Sequence, residues 1–212
     1  MSKVILFQGD SITDCGRSRE NDANMGIGYP LLVASEFGFE QPEQYTYINR
    51  GISGNRIVDV YARIKMDIIN LKPDYMSILI GINDVWHEVS RENGVAPAKF
   101  EKIYDMLITE IKEALPDIKL MILEPFVVKG SATCDSEHYP DCWNRFDTGA
   151  KANAQAARRI AEKHGATFVP LQSKFDEMDA AHPGLWTSDG VHPSAAGHQL
   201  IKREWLKAFR TL

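Results

Sequence analysis

The 212-residue chain carries 24 basic and 29 acidic residues, a net charge of −5, with 44% hydrophobic and 25% charged residues. These proportions belong to a folded globular protein long enough to bury a real core, and without a basic block they exclude nucleic acid or an anionic membrane surface as the main partner. Cys15, Cys134 and Cys142 form no disulfide framework, no stretch approaches the ~20 apolar residues of a membrane span, and Met1-Ser2-Lys3 leads straight into apolar sequence without a signal-peptide pattern, so a cytoplasmic protein is expected.

Val4 to Phe7 form a short, continuous apolar run, the pattern of a strand covered on both faces. Gly9-Asp10-Ser11 stops it. After a polar loop from Cys15 to Met25, Gly28 to Phe37 reads as a helix, with Pro30 in its first turn. Tyr45 to Asn49 is a second strand, ending at Arg50-Gly51-Ile52-Ser53-Gly54-Asn55. Ile57, Val60, Tyr61, Ile64, Ile68 and Leu71 recur at helical spacing. Tyr75 to Ile80 is a third strand, ending at Gly81-Ile82-Asn83-Asp84, and a loop of mixed character is expected from there to Pro97.

Phe100, Ile103, Leu107, Ile111 and Leu115 mark a further helix, stopped by Pro116. Ile118 to Leu123 is the fourth strand. Residues 126–145 show no clean period, and so long a connection is more often functional than idle. Ala150 to His164 reads as a helix ended by Gly165, and Ala166 to Leu171 as the fifth strand. A short helix precedes the turn from Trp186 to Pro193, and a last helix runs from Ser194. Strands alternating with helices imply an α/β fold: a three-layer α/β/α sandwich on a five-stranded parallel sheet, with residues 1–212 as one domain.

Three strand ends carry complementary chemistry. In a parallel sheet Gly9-Asp10-Ser11, Gly51 and Asn83 emerge on one edge, where ligands of open α/β sheets bind. Ser11 offers a hydroxyl, Gly51 a backbone N–H that a ligand can approach closely, and Asn83 an amide donor. Taken singly, Ser11 and Asn83 read rather as helix caps and Gly51 as a turn glycine. A serine needs a base. Of six histidines, His192 has the best setting: Asp189 precedes it by three residues, close enough in a turn to hold one tautomer, and Pro193 suits the first turn of the last helix.

Gly9-Asp10-Ser11, Gly51, Gly81-x-Asn83-Asp84 and Asp189-x-x-His192, in that order, resemble the four sequence blocks of the GDSL/SGNH hydrolases, whose fold is flavodoxin-like. The resemblance implies Ser11 as nucleophile, His192 as base and Asp189 as its orienting acid. It also implies Ser11 N–H, Gly51 N–H and the Asn83 amide as oxyanion donors, with no cofactor. Ile12 stands where the family name has leucine. The Ser…Asp…His order also occurs in α/β-hydrolases, but their elbow needs glycine two residues after the serine, and Thr13 sits there.

Around the blocks the chain looks most like carbohydrate acetylesterases acting on acetylated xylooligosaccharides, which implies a small acylated sugar as partner. Trp86 and Trp186 flank the blocks and could stack on sugar faces or pack in the core. Asp10 is expected to contact substrate. No broad apolar stretch points to a long acyl tunnel, so a short acyl group is expected. A lysophospholipase, an acyl-thioester hydrolase or a silent carbohydrate-binding protein are the rival readings, and homo-oligomerisation is left open. Cys134, His138 and Cys142 recur at four-residue steps beside Asp135 and Asp141. A structural zinc wants four ligands in a familiar spacing, so no metal is expected, and the segment reads as a lid with free thiols.

Overall fold

The computed structural model describes residues 2–212. Five parallel strands form one sheet in the order β2-β1-β3-β4-β5: β1 (Lys3–Gly9), β2 (Tyr45–Asn49), β3 (Tyr75–Leu79), β4 (Lys119–Leu123) and β5 (Thr167–Val169). The period of two along each strand divides the core between its two faces. Ile5, Phe7, Leu79, Met121 and Leu123 join one buried cluster, while Leu6, Met76, Ile78, Leu120 and Ile122 join the other.

On the first face lie α2 (Tyr29–Glu40), α8 (Gln172–Ala181) and α9 (Ala195–Phe209), which bury Tyr29, Phe37, Phe175 and Trp205. On the second lie α3 (Ile57–Ala62), α4 (Ile64–Asp67) and α6 (Pro97–Ala114), with Ile57, Val60, Phe100 and Leu107 packed inward. The remaining helices are α1 (Ser11–Asp14), α5 (Ile82–Arg91) and α7 (Cys142–His164). α7 contributes Phe146 and Ala150 to the first cluster and Ala157 and Ile160 to the second. Burying such a side chain contributes about 1.5–3 kcal/mol, so both faces of the sheet are firmly covered.

Three expectations change. The segment after Asn83, expected as a loop, is α5; Ile82, Val85, Trp86 and Val89 have the i, i+3, i+4, i+7 spacing of a helix packed on one side. The helix expected over 57–71 breaks at Arg63, between α3 and α4, and ends in a short 3-10 turn, Ile69–Leu71. At the break the Arg63 guanidinium donates to Gln8 Oε1 at 2.7 Å, Arg50 O at 2.9 Å and Asn55 Oδ1 at 2.9 Å. At this bend one arginine braces two strand-end segments, the end of β1 and the segment that follows β2.

α7 begins at Cys142, well before Ala150. Gly149 inside it looks like a breaker but marks close helix–helix contact: a Cβ there would lie 2.8 Å from Val85 Cγ1 on α5. The ~1 kcal/mol that glycine costs in a helix is offset by that packing.

Candidate active site

The strand order places the site. Gly9 pairs with Leu79 across β1 and β3, and Phe7 pairs with Asn49 across β1 and β2. The residues just beyond these pairs therefore emerge side by side, with Ser11 between the β2 and β3 exits. This is the switch point at which a 2-1-3-4-5 sheet opens a crevice. Gly9 has φ +156°, and a Cβ on it would lie 2.4 Å from Leu79 O and 2.5 Å from Thr13 Oγ1. Only glycine lets the chain leave β1 this tightly.

Ser11 opens α1, and Asp10 caps it: the Ile12 N–H donates to Asp10 Oδ1 at 3.0 Å. Asp10 does not touch substrate as expected, because its side chain has no exposure at all. Burial pushes its carboxyl up to about 7, against the opposing pull of the Ile12 N–H and His192. Its other oxygen has no hydrogen-bond partner among the described residues.

From the far end of the chain, His192 reaches Ser11 with Nε2 2.9 Å from Oγ. Its Nδ1 lies 2.7 Å from Asp189 Oδ2, and Asp189 Oδ1 accepts the Val191 N–H at 2.9 Å and the His192 N–H at 2.8 Å. With Nδ1–H given to Asp189, Nε2 presents a lone pair to the serine hydroxyl. The Asp189 hydrogen bond raises the His192 pKa above its ordinary value against the downward pull of burial. Burial pulls Asp189 upward, but the ring and backbone N–H groups of the turn win and hold it at about 2.

The segment after β4 holds this turn from outside. Val128 N–H donates to Gly190 O at 2.9 Å and Ala132 N–H to Asp189 O at 2.9 Å. A Cβ on Gly130 would lie 2.3 Å from Asp189 C. The first part of the long connection is therefore a brace for the Asp189 turn. Among the described residues, no group of three His, Cys, Asp or Glu side chains is gathered to hold a metal; Cys134 is exposed, and Cys142 is buried beside Ala132 O.

On the other side of Ser11 the donor set differs from the one expected. Gly51 N–H is not free, because it donates to Asn49 Oδ1 at 2.9 Å. Gly51 instead serves close packing: a Cβ there would lie 2.3 Å from Asp14 N. Gly54, three residues on, has φ +81°, open space around its Cα and an N–H with no partner among the described residues. Asn83 Nδ2 donates to the next carbonyl, Asn55 O, at 3.2 Å, which seats Gly54 beside the amide. The signal was present in the sequence: an asparagine two residues before a glycine takes its N–H in an Asx turn, which removes Gly51 and leaves Gly54. Ser11 N–H, Gly54 N–H and the second Asn83 amide proton are the donors this side offers.

Trp86 lies beside His192, the two ring centroids 5.6 Å apart, and packs edge-on against Phe146. Trp186 does not join them. Its indole N–H donates to Met178 O at 2.8 Å, and its ring lines a depression with Met178, Ala196 and Leu200. His198 is a buttress: Nδ1 accepts the Tyr29 N–H at 3.1 Å, Nε2 lies 3.4 Å from Cys15 Sγ, and burial pushes its pKa down to about 4. A cavity of about 630 Å³ lies on another flank of α5, between Val85, Val89, Pro97 and Arg145, and holds none of Ser11, Asn83 or His192. Chemistry, not cavity size, locates the site.

A serine, histidine and aspartate in hydrogen-bonded series, with unspent N–H donors on the same sheet edge, can carry out acyl transfer. The model of the GDSL-like lipase/acylhydrolase family matches residues 7–200. The chain belongs to that family. It is 35% identical to an acetylxylan esterase of Geobacillus stearothermophilus, over 96% of this chain and 92% of the relative. A crystal structure of a GDSL-like lipase from Parabacteroides merdae superposes with a TM-score of 0.88 at 35% identity, covering 98% of this chain and 96% of the other. A catalytic serine-to-alanine mutant of the Geobacillus acetylxylan esterase superposes with a TM-score of 0.84 at 31% identity, covering 98% and 95%. Catalytic mutants of that enzyme also replace an aspartate or the histidine three positions after it.

Proposed function

We propose that this chain is a serine esterase that removes acetyl groups from carbohydrate esters through an acyl-serine intermediate on Ser11. The observation that carries this reading is the unbroken series Ser11 Oγ, His192 Nε2, His192 Nδ1, Asp189 Oδ2, with contacts of 2.9 and 2.7 Å. His192 takes the Ser11 proton as Oγ attacks the ester carbonyl. The negative charge that develops on the carbonyl oxygen meets Ser11 N–H, Gly54 N–H and Asn83 Nδ2. The protonated His192 then hands its proton to the sugar oxygen as the C–O bond breaks, the sugar leaves as the alcohol, and water repeats the sequence on the acyl-enzyme. Asp189 keeps Nδ1 protonated and stabilises the imidazolium.

The acetyl and sugar assignments are supported by the likeness to the acetylxylan esterase. Trp86 beside His192 supplies an apolar wall for the acyl group or the sugar face. Residues 1–212 act as one catalytic domain without a cofactor. The unpaired thiols of Cys15, Cys134 and Cys142 agree with a cytoplasmic setting, and no helix among the described residues is long and apolar enough to cross a membrane.

Acetylated xylooligosaccharides are the test substrate, with release followed by mass spectrometry alongside a chain-length series of 4-nitrophenyl esters. Deacetylation of the sugar, with rates falling beyond short acyl chains, is expected. A rate peak above about eight carbons would instead favour a lysophospholipase or thioesterase. Ser11→Ala is expected to lower kcat by at least about 10⁴-fold; unchanged hydrolysis would overturn the mechanism.

A further inference from the structure

The segment from Arg50 to Arg56 carries the Gly54 N–H and is tied down from several directions. Asp14 Oδ2 accepts the Ser53 N–H at 2.9 Å, Arg17 donates to Gly51 O at 2.7 Å, and Arg63 donates to Arg50 O and Asn55 Oδ1. These contacts fix the segment to α1 and to the β1 end. They say nothing about its position relative to α5, which carries the Asn83 amide. Other contacts do. Just past the far end of α5, Arg56 donates to Asn93 O at 2.8 Å and to Asn93 Oδ1 at 3.2 Å. At the first turn of α5, beside the amide, there are two. One is Asn83 Nδ2 to Asn55 O. The other comes from the adjacent residue: Ile57 N–H, at the start of α3, donates to Asp84 Oδ1 at 3.1 Å and Oδ2 at 3.3 Å.

Asp84 is buried, with 1% exposure. α3 receives no cap from its own N-cap residue onto that first N–H, so the carboxylate of another helix supplies the acceptor. Asp84 is itself held. Its carbonyl accepts the Val95 N–H at 3.1 Å, and the Gly81 carbonyl at the head of α5 accepts Asn153 Nδ2 at 2.9 Å. The first turn of α5 is thereby anchored to α7, and Asp84 passes that rigidity to α3. We propose that Asp84 is a positioning residue: by binding the Ile57 N–H it sets the distance between the Gly54 N–H and the Asn83 amide across the oxyanion site. This rests on the esterase reading above. Asp84 touches no substrate; it acts through the two donors it holds in register. Preorganised donors act on charge that develops in the transition state, and misplacement by about 1 Å can cost a hundredfold. The loss therefore falls on kcat rather than KM.

The experiment compares Asp84→Ala, Asp84→Asn and Ile57→Pro, using 4-nitrophenyl acetate below the unfolding temperature of each variant. Asp84→Asn keeps an oxygen for the Ile57 N–H. Ile57→Pro deletes the same hydrogen bond from the donor side, at a helix position where proline is tolerated. Asp84→Ala and Ile57→Pro are expected to lose about 10- to 100-fold in kcat with KM within about twofold, while Asp84→Asn stays within about threefold of wild type. Wild-type kcat in Asp84→Ala, or equal losses in Asp84→Ala and Asp84→Asn, would overturn the assignment. Should Asp84→Ala not fold, Ile57→Pro decides alone, and wild-type kcat there overturns it. Ser11→Ala, run beside them, separates the readings: activity surviving in it sinks the serine mechanism, whereas activity lost in it but kept in Asp84→Ala sinks only the role of Asp84.

Discussion

The two halves of the site are built on different scales. The proposed acid and base occupy a four-residue turn in which Asp189 binds the backbone N–H groups of Val191 and His192 and the His192 ring. The turn is closed by Ser188 N–H on His192 O at 2.8 Å and by the bridge between Thr187 and Pro193. Most of its geometry is local. The side proposed to carry the nucleophile and the oxyanion donors has no local solution, because Ser11, Gly54 and Asn83 stand on three separate strand ends. They come together only because the sheet order places β1 between β2 and β3. A local device fails when its own residues change; a distributed one also fails when a distant contact changes.

The local half is the place for the largest effect after loss of the serine itself. Asp189→Asn leaves an oxygen for the two backbone N–H groups but turns an N–H toward His192 Nδ1, which favours the wrong tautomer. A loss in kcat of about 10⁴-fold is expected. Wild-type His192 must be neutral to accept the serine proton, and its hydrogen bond to Asp189 raises its pKa. The acid limb of kcat/KM is therefore expected above the ordinary imidazole value of about 6.5. In Asp189→Asn the residual limb moves to lower pH; rates from about pH 5 to pH 9 check both.

On the distributed half, Asn83→Ala removes a donor and the link to Asn55 O together. A loss of about 100-fold in kcat is expected, with the pH limb unmoved because His192 and Asp189 are untouched. A shifted limb would mean that the halves are not independent. The smallest effect on chemistry is expected from Gly51→Ala. Its new Cβ would press on the Asp14 backbone at 2.3 Å, so stability falls by about 2 kcal/mol in urea unfolding. Rates of the folded fraction stay within a few-fold of wild type, because Gly51 N–H already belongs to Asn49. A Gly51→Ala protein of normal stability but lost kcat would return the oxyanion role to Gly51.

Much of this was legible in the residues themselves. The strands from Val4, Tyr75 and Ile118 announce themselves by short apolar runs, since parallel strands inside a sheet are buried on both faces; the edge strand from Tyr45 is only partly buried and shows itself by its aromatic and β-branched residues. Asp189 and His192 are readable because their spacing alone brings them into contact. α5 was readable too, from the spacing of Ile82, Val85, Trp86 and Val89, but the strand-end block Gly81-Ile82-Asn83-Asp84 reads equally as the start of a loop. Gly149 hid the first turns of α7, because glycine in a sequence does not say whether it ends a helix or admits a neighbour.

By itself, then, the sequence determined the strand and helix periods, the serine at the end of the first strand, and an aspartate and histidine close enough to meet. Tertiary structure decided which glycine offers its N–H, that Asp10 lies sealed beneath the serine, and that Trp86 rather than Trp186 stands beside His192. It also made Arg63 and Asp84 the ties between loops distant in sequence. The reason is one of range. Periodicity and short turns depend on neighbours along the chain, whereas burial and the spending of each N–H depend on what the sheet order brings across from elsewhere.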